Sequence, residues 1–354
     1  MLSVNQVTAG ALHLCVVAEV AGAAGRAGRC APGPQGRYWP RIQRVRPMAH
    51  DIIFHNFATS PFSEKVRLVF GMKGLAWRSV EIPSMLPKPF LTPLTGGYRK
   101  TPVMQLGADV FCDTQIIIRE LERRYPEPSV FPHGNGLPYG LGFWSDRAFF
   151  MASVPIIFGE IGEFVPEAFK KDREAMSPQG FSVDAMKRAA PFMRDQWRAH
   201  AAFLADHLAD GRAFLQGPGP TIVDAHAHMN LWFMKGTIAA ITDSLLKEFP
   251  VLDAWFERVS AIEHGKPSPM DAQDALAIAK AATSEAKPML DPHEPRGFKP
   301  GDRVTVSADD YGRDLVAGEI VFTNAHEIAI RRNAEEVGDV VVHFPRAGFV
   351  VAPG

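Results

Sequence analysis

Cysteine is scarce in this 354-residue chain, with three residues, Cys15, Cys30 and Cys112, set far apart. That spacing excludes a zinc-type cluster and a disulfide framework. It suits a reducing, cytoplasmic setting. Long apolar runs are missing too: none reaches the ~18 residues that a spanning helix needs, so no membrane role is expected. Charge of one sign is absent. The 38 basic and 39 acidic side chains leave a net charge of −1, which excludes a general attraction to nucleic acid or anionic membrane. The histidines show no ligand spacing. His226 and His228, two apart, point to different faces of a helix and cannot share a metal, so no metal is expected. What remains is 46% hydrophobic and 22% charged, ordinary for a soluble globular protein, with length for two or three domains.

Residues 1–47 differ from the rest. "ALHLCVVAEVAGAAG" is apolar, and "RAGRCAPGPQGRYWPRIQRVRP" is rich in Arg, Gly and Pro. No positive charge precedes the apolar stretch, as a secretory signal requires, and the segment lacks the serines of a transit peptide. It is expected to be a disordered, targeting or mis-annotated extension, the last with Met48 as the true start.

From there the elements alternate. "DIIFHNF" reads as a strand and "FSEKVRLVFGMKGL" as a helix with Val66, Val69 and Phe70 on one face. "AWRSVEI" is a second strand, and "TPVMQL" and "DVFCD" flank a Gly-Ala turn. "DTQIIIRELERRYP" is a helix ended by Pro126. The order β-α-β-loop-β-β-α predicts a thioredoxin-like α/β domain over 48–132. From 137 to 288 the chain reads as an all-α bundle. In it "TIVDAHAHMNLWFMKG", nearly all apolar, is the buried central helix, and "SPMDAQDALAIAKAA" is its last member. Thr221 to Asp224 forms a variant capping box, a structural feature. After a linker, β-rich runs over 297–354 predict a small antiparallel β-barrel-like domain, acting as a structural accessory over a pocket or at an interface.

A thioredoxin-like half followed by a helical half resembles the glutathione S-transferase superfamily. The resemblance covers roughly Asp51 to Ala282 and rests on "TSPFSEKVRL", "KTPVMQL", "DTQIII" and "TIVDAHAH". "SPFS" is similar to the Cys-Pro-Phe of the omega-type transferases, with Ser60 in the cysteine's place. The resemblance implies glutathione as co-substrate and a homodimer. It also implies a cytoplasmic detoxification enzyme that joins the glutathione thiolate to an apolar electrophile.

A serine at a helix start can hold a sulfur without donating one. Ser60, or the adjacent Thr59, would stabilise the substrate thiolate through its hydroxyl and the helix dipole. Either also serves as an ordinary N-cap, with Pro61 at the first helical position. The resemblance makes Thr101-Pro102 a cis peptide that presents the Val103 backbone to glutathione's cysteinyl unit, with Phe62 nearby. It puts Asp113 and Thr114 on the γ-glutamyl end. Lys88, Arg99 and Lys100 are candidates for the glycyl carboxylate. Phe143, Trp144, Phe149 and Phe150 are available for the second substrate, with Asp146 and Arg147 as its polar element. Cys112 reads as a small buried hydrophobe, and disulfide exchange is disfavoured because both ends of "SPFS" lack a thiol. Two other readings stay open. One is a non-catalytic glutathione-binding or interaction protein; the other is a glutathione-dependent isomerase or dehalogenase.

Overall fold

The computed structural model describes residues 51–134, 136–177 and 180–354. The expectations for the N-terminal extension lie outside the described residues. Strand β1 (Ile53–Asn56), helix α1 (Pro61–Met72) and strand β2 (Ala76–Glu81) form the first unit, with β1 and β2 parallel. Helix α1 starts after Ser60, whose Oγ accepts a hydrogen bond from Ser63 N–H at 3.1 Å, with Pro61 where no intrahelical N–H is needed. The short helix α2 (Thr92–Thr95), strands β3 (Val103–Leu106) and β4 (Asp109–Cys112) and helix α3 (Thr114–Arg124) complete the thioredoxin-like half in the predicted order. Strand β3 lies antiparallel to both β1 and β4.

In the helical half, α4 (Gly136–Phe143) passes through a π-helical stretch, Trp144–Phe149, into α5 (Phe150–Ile161). Helices α6 (Glu167–Met176), α7 (Val183–Leu208), α8 (Ile222–Leu246) and α9 (Pro250–Ser260) follow. Helix α8 is the buried centre: every residue from Ile222 to Leu231 is buried. Its capping box forms, and Asp224 also accepts from Leu215 N–H at 2.8 Å and Trp255 Nε1 at 2.9 Å. That carboxylate ties a loop and α9 to the helix start.

Helix α6 escapes sequence patterning because none of its residues is buried, leaving no apolar stripe to read. Strand β5 (Lys266–Pro269) escapes for another reason. It carries two prolines and pairs with β2 at the sheet edge, the place where a strand tolerates them. Helix α10 (Ala272–Ala281), expected in the bundle, packs Ala275 and Ala279 against the sheet side chains Val80, Val110 and Val342 instead.

The tail is strand-rich as expected: β6 (Arg303–Ala308), β7 (Val316–Thr323), β8 (Glu327–Ala334), β9 (Gly338–Pro345) and β10 (Phe349–Pro353). These strands pair antiparallel among themselves. Strand β9 then pairs in parallel with β4. One ten-stranded sheet results, ordered β10-β6-β7-β8-β9-β4-β3-β1-β2-β5.

A buried charge cluster sits at this junction. His343 on β9 reaches Asp109 on β4 through Nε2 at 3.0 Å and Glu327 on β8 through Nδ1 at 2.6 Å. Asp109 also accepts from Ser284 Oγ and Glu285 N–H, and the Phe111 ring stacks on the imidazole with centroids 4.4 Å apart. Burial alone would lower the His343 pKa, but the hydrogen bonds and charges of Asp109 and Glu327 outweigh it and push it up to about 9. Burial would raise Asp109, and the bonds from His343, Ser284 and Glu285 reverse that and hold it below its ordinary value.

A folded-state pKa above the ordinary value means that the His343 stabilisation is complete below about pH 6.5 and lost as pH rises through about 9. The Asp109 contribution runs the other way and is lost as pH falls below its ordinary value of 3.8. The denaturant midpoint is therefore expected to drop between pH 6.5 and about 9 more steeply in the wild type than in His343→Gln. Equal slopes in the two proteins would show that the cluster is not ionised as described.

Candidate functional site

The loop from β1 to α1 carries Thr59 and Ser60, and Arg67 fixes it from below. The guanidinium donates to Asn56 Oδ1 and to Ala58 O, both at 3.0 Å, and to Glu64 Oε2 at 2.8 Å. Glu64 in turn accepts from His264 Nε2 at 2.9 Å. Both Arg67 and Glu64 are buried, so the loop is set by a fully paired ionic group rather than by loop sequence alone. Ser60 is buried, with its oxygen accepting from Ser63 N–H and its hydroxyl proton left for donation.

A cavity of about 70 Å³ opens beside α1, where thioredoxin-like half, helical half and tail meet. Phe62, Lys100, Thr101, Pro102, Asp113 and Thr114 contribute from the first. Tyr139, Gly142, Phe143, Asp146, Arg147 and His226 contribute from the second, and Asp310, Tyr311 and Ala347 to Phe349 from the tail. The Thr101-Pro102 peptide is cis, as expected. Asp113 caps α3 by accepting from Gln115 N–H at 2.8 Å and holds φ +94, a region costing a non-glycine residue about 1–3 kcal/mol. Burial pushes the carboxyl of Asp113 up, against the pull of the Gln115 amide and of Lys100.

Most of the residues singled out in the sequence converge on this cavity, and some do not. Val103, fully buried, starts β3 directly behind Pro102. Phe150 packs edge-on against Phe62 with centroids 4.9 Å apart. Trp144 is turned into the helical half, stacked on Phe149 and donating to His200 Nδ1 at 3.2 Å. Ser60 does not line the cavity, and Thr59, exposed, borders a separate open depression with Phe57, Glu81 and Ser84. The three candidate cations already have partners. Lys88 donates to Arg99 O and Thr101 Oγ1, at 2.8 and 3.0 Å, and burial lowers its pKa to about 8. Arg99 pairs with Asp172. Lys100 pairs with Asp310 at 2.5 Å and lies 4.2 Å above the Tyr311 ring.

Sequence reasoning missed Lys65 and His226. The Lys65 side chain is wholly buried, paired with Asp146 and 3.5 Å from Thr114 Oγ1. Its signal was readable, since Phe62, Lys65 and Val69 fall on one face of α1 and put a charge among apolar neighbours. The tail's part was not readable. Asp310 and Tyr311 follow β6, and Arg147 pairs with Asp309 at 2.5 Å, so two ion pairs hold this loop across the opening. Among the described residues no cluster of His, Cys, Asp and Glu is placed to hold a metal ion, and no helix is long and apolar enough to cross a membrane.

Comparison with known proteins matches residues 54–129 to the family model "Glutathione S-transferase, N-terminal domain". Residues 155–266 match a domain of unknown function (DUF7962). No curated protein matches the chain. Among solved structures, a GST-like protein from Pseudomonas syringae is 37% identical, covering 86% of this chain and 100% of that one, with a TM-score of 0.70. A glutathione S-transferase from Rhodospirillum rubrum F11 is 20% identical over 59% of this chain and 88% of that one, TM-score 0.47. FzlA from C. crescentus is 20% identical over 64% and 92%, TM-score 0.45.

The Lys65–Asp146 pair generates a stability prediction. Asp146→Ala leaves a wholly buried ammonium without its counter-ion, a defect that costs about 3–5 kcal/mol. Chemical denaturation is expected to show a loss of that order, and the double variant Lys65→Met/Asp146→Ala is expected to recover most of it. A double variant as unstable as the single one would mean that packing, not charge, holds the contact.

Proposed function

The chain belongs to the glutathione S-transferase superfamily, and from that premise we propose that it conjugates the glutathione thiolate to an apolar electrophilic small molecule. The supporting observation is a single cavity onto which Thr101, Pro102, Asp113, Thr114 and Phe62 all open. In this reading the γ-glutamyl carboxylate lies on the N-terminal amides of α3 and on Thr114 Oγ, where a helix start favours an anion. Asp113 faces the ammonium, and the Val103 backbone pairs with the cysteinyl unit as an added strand.

The chemistry is thiolate stabilisation. A free thiol titrates near ~8.5, so at neutral pH most of it is protonated unless a donor and a positive dipole favour the anion. Ser60 supplies both: its oxygen is occupied by Ser63 N–H, and its proton and the α1 dipole are available to sulfur. Thr59 is the rival donor. Lys100 takes the glycyl carboxylate by exchanging Asp310 for it, one carboxylate for another. Phe143 and Phe150 border the second substrate, with Trp144 behind them. The mechanism requires no metal. A cytoplasmic homodimer acting in detoxification belongs to the same proposal. So do the boundaries 48–132, 137–288 and 297–354 for the three domains.

One observation favours a second reading, a glutathione-binding or interaction protein without catalysis. Neither Ser60 nor Thr59 lines the cavity, and Lys100 is already paired. Calorimetric titration with glutathione and an aryl-halide conjugation assay separate the two. A hydrogen bond to a charged group is worth about 1.5–3 kcal/mol. Ser60→Ala is therefore expected to lower kcat/KM about 10- to 100-fold, with partial recovery at higher pH as the thiol ionises unaided. No binding at millimolar glutathione would sink the enzyme reading. Full activity in Ser60→Ala would move the role to Thr59 or to the helix start.

A further inference from the structure

On α8, His226 is buried and faces the cavity, and neither ring nitrogen has a hydrogen-bond partner among the described residues. A buried polar atom left unpaired costs about 1–3 kcal/mol, so a ring with two of them calls for an explanation. The main chain that carries the ring is anchored to the π stretch. Its backbone carbonyl accepts from Ser145 Oγ, and Asn230 Nδ2 donates to that same Ser145 Oγ at 3.0 Å. Across from it α4 passes without a side chain: a Cβ on Gly142 would stand 3.0 Å from the His226 Cε1 and 3.1 Å from Nε2. The other histidine nearby, His228, has one ring nitrogen bonded to Ser260 Oγ at 2.9 Å and its ring stacked on Phe256, and it does not line the cavity. Only one of the pair looks into the site.

We propose that His226 is a binding residue of the acceptor subsite, and that it donates a hydrogen bond to the carbonyl oxygen of an aryl-conjugated ketone or quinone held between Phe62, Tyr139 and Phe143. Burial, with Lys65 near by, drives the imidazole pKa well down, so the ring offers one N–H donor and carries no charge. Lys65 of α1 and Asp146 of the π stretch pair with each other nearby; Arg67 and Glu64 of α1 pair with each other, and Arg147 pairs with Asp309. A neutral donor suits an oxygen that gains charge during reaction, because it polarises the carbonyl without surrendering its proton. The inference rests on the conjugation reading above, to which it adds the acceptor's chemistry. Sulfur of the thiolate bonds to the β-carbon, and the alkene electron pair shifts toward the carbonyl oxygen, which His226 stabilises. The proton released by the thiol returns to the α-carbon. Nothing is oxidised or reduced, and no group leaves.

Binding of an unreactive probe tests this apart from catalysis. In protein labelled with nitrogen-15 histidine, 4-phenylbutan-2-one is expected to shift the His226 imidazole signal, identified by its loss in His226→Phe. The same variant is expected to bind the ketone about ten-fold more weakly while its calorimetric affinity for glutathione is unchanged. His226→Gln, which keeps an N–H donor, is expected to recover part of the loss. In turnover, His226→Phe is expected to slow conjugation of 4-phenylbut-3-en-2-one about ten-fold more than that of benzyl chloride, which has no oxygen to accept the bond. A ketone that does not bind the wild type, that leaves the His226 signal unmoved, or that binds His226→Phe equally well overturns the proposal. Failure of glutathione to bind removes the enzyme reading, and the ketone titration reads His226 independently of that result.

Discussion

The pairing of β9 with β4 is the contact through which the tail takes part in the site. A thioredoxin-like sheet ending at β4 would present a row of unpaired backbone groups, a template for association with other chains. Here that edge is covered by the chain's own β9, three residue pairs in parallel register, and locked by His343 between Asp109 and Glu327. With the strand fixed, its neighbours are fixed. The loop after β6 brings Asp309 and Asp310 to Arg147 and Lys100, and the turn before β10 brings Ala347 and Gly348 to the cavity. A tail of separate origin in the sequence thus becomes a wall of the site through one edge-to-edge junction.

The buried charges of α1 obey a different constraint. Burying charge is costly unless it is paired, and the wholly buried Lys65 meets that condition through Asp146 and Thr114. Arg67, Glu64 and His264 meet it one turn away. His226, uncharged, is a different case: its ring nitrogens are buried without a hydrogen-bond partner among the described residues. The paired charges hold the β1–α1 loop and the π stretch in place, and the unpaired ring faces the space that a ligand would enter.

How much of this was legible in the sequence depended on whether a feature was local. Apolar periodicity and turn residues carry the β-α-β order, the buried α8 and the strand-rich character of the tail, because each is encoded locally. "KTPV" and "DT" pointed to the cavity because the turn and the helix start that place them are local as well. Non-local features stayed hidden. The β4–β9 pairing joins segments more than two hundred residues apart, and nothing in "DVFC" announces a partner in "DVVVHF". Strand β5 defied its own composition, since Lys-Pro-Ser-Pro becomes a strand only where an edge accepts it. Lys65 and His226 occupied positions that pattern reading assigns to apolar side chains. Neither residue type announces in the sequence that its side chain will be buried.

Serine in place of cysteine at residue 60 acquires its meaning from this frame. As an N-cap it must accept from Ser63 N–H, and accepting leaves its proton free, so capping and sulfur holding use opposite ends of one hydroxyl. The cap therefore stands whether or not a ligand is present. In the proposed function, Lys100 would exchange an intramolecular carboxylate for an incoming one, an exchange of like for like with little net electrostatic gain. On that proposal the binding energy would come from the γ-glutamyl end at α3 and from the aromatic walls. A carboxylate alone on Lys100 gains little over Asp310, so the arrangement favours a ligand that engages both ends of the cavity together over one that only matches the charge.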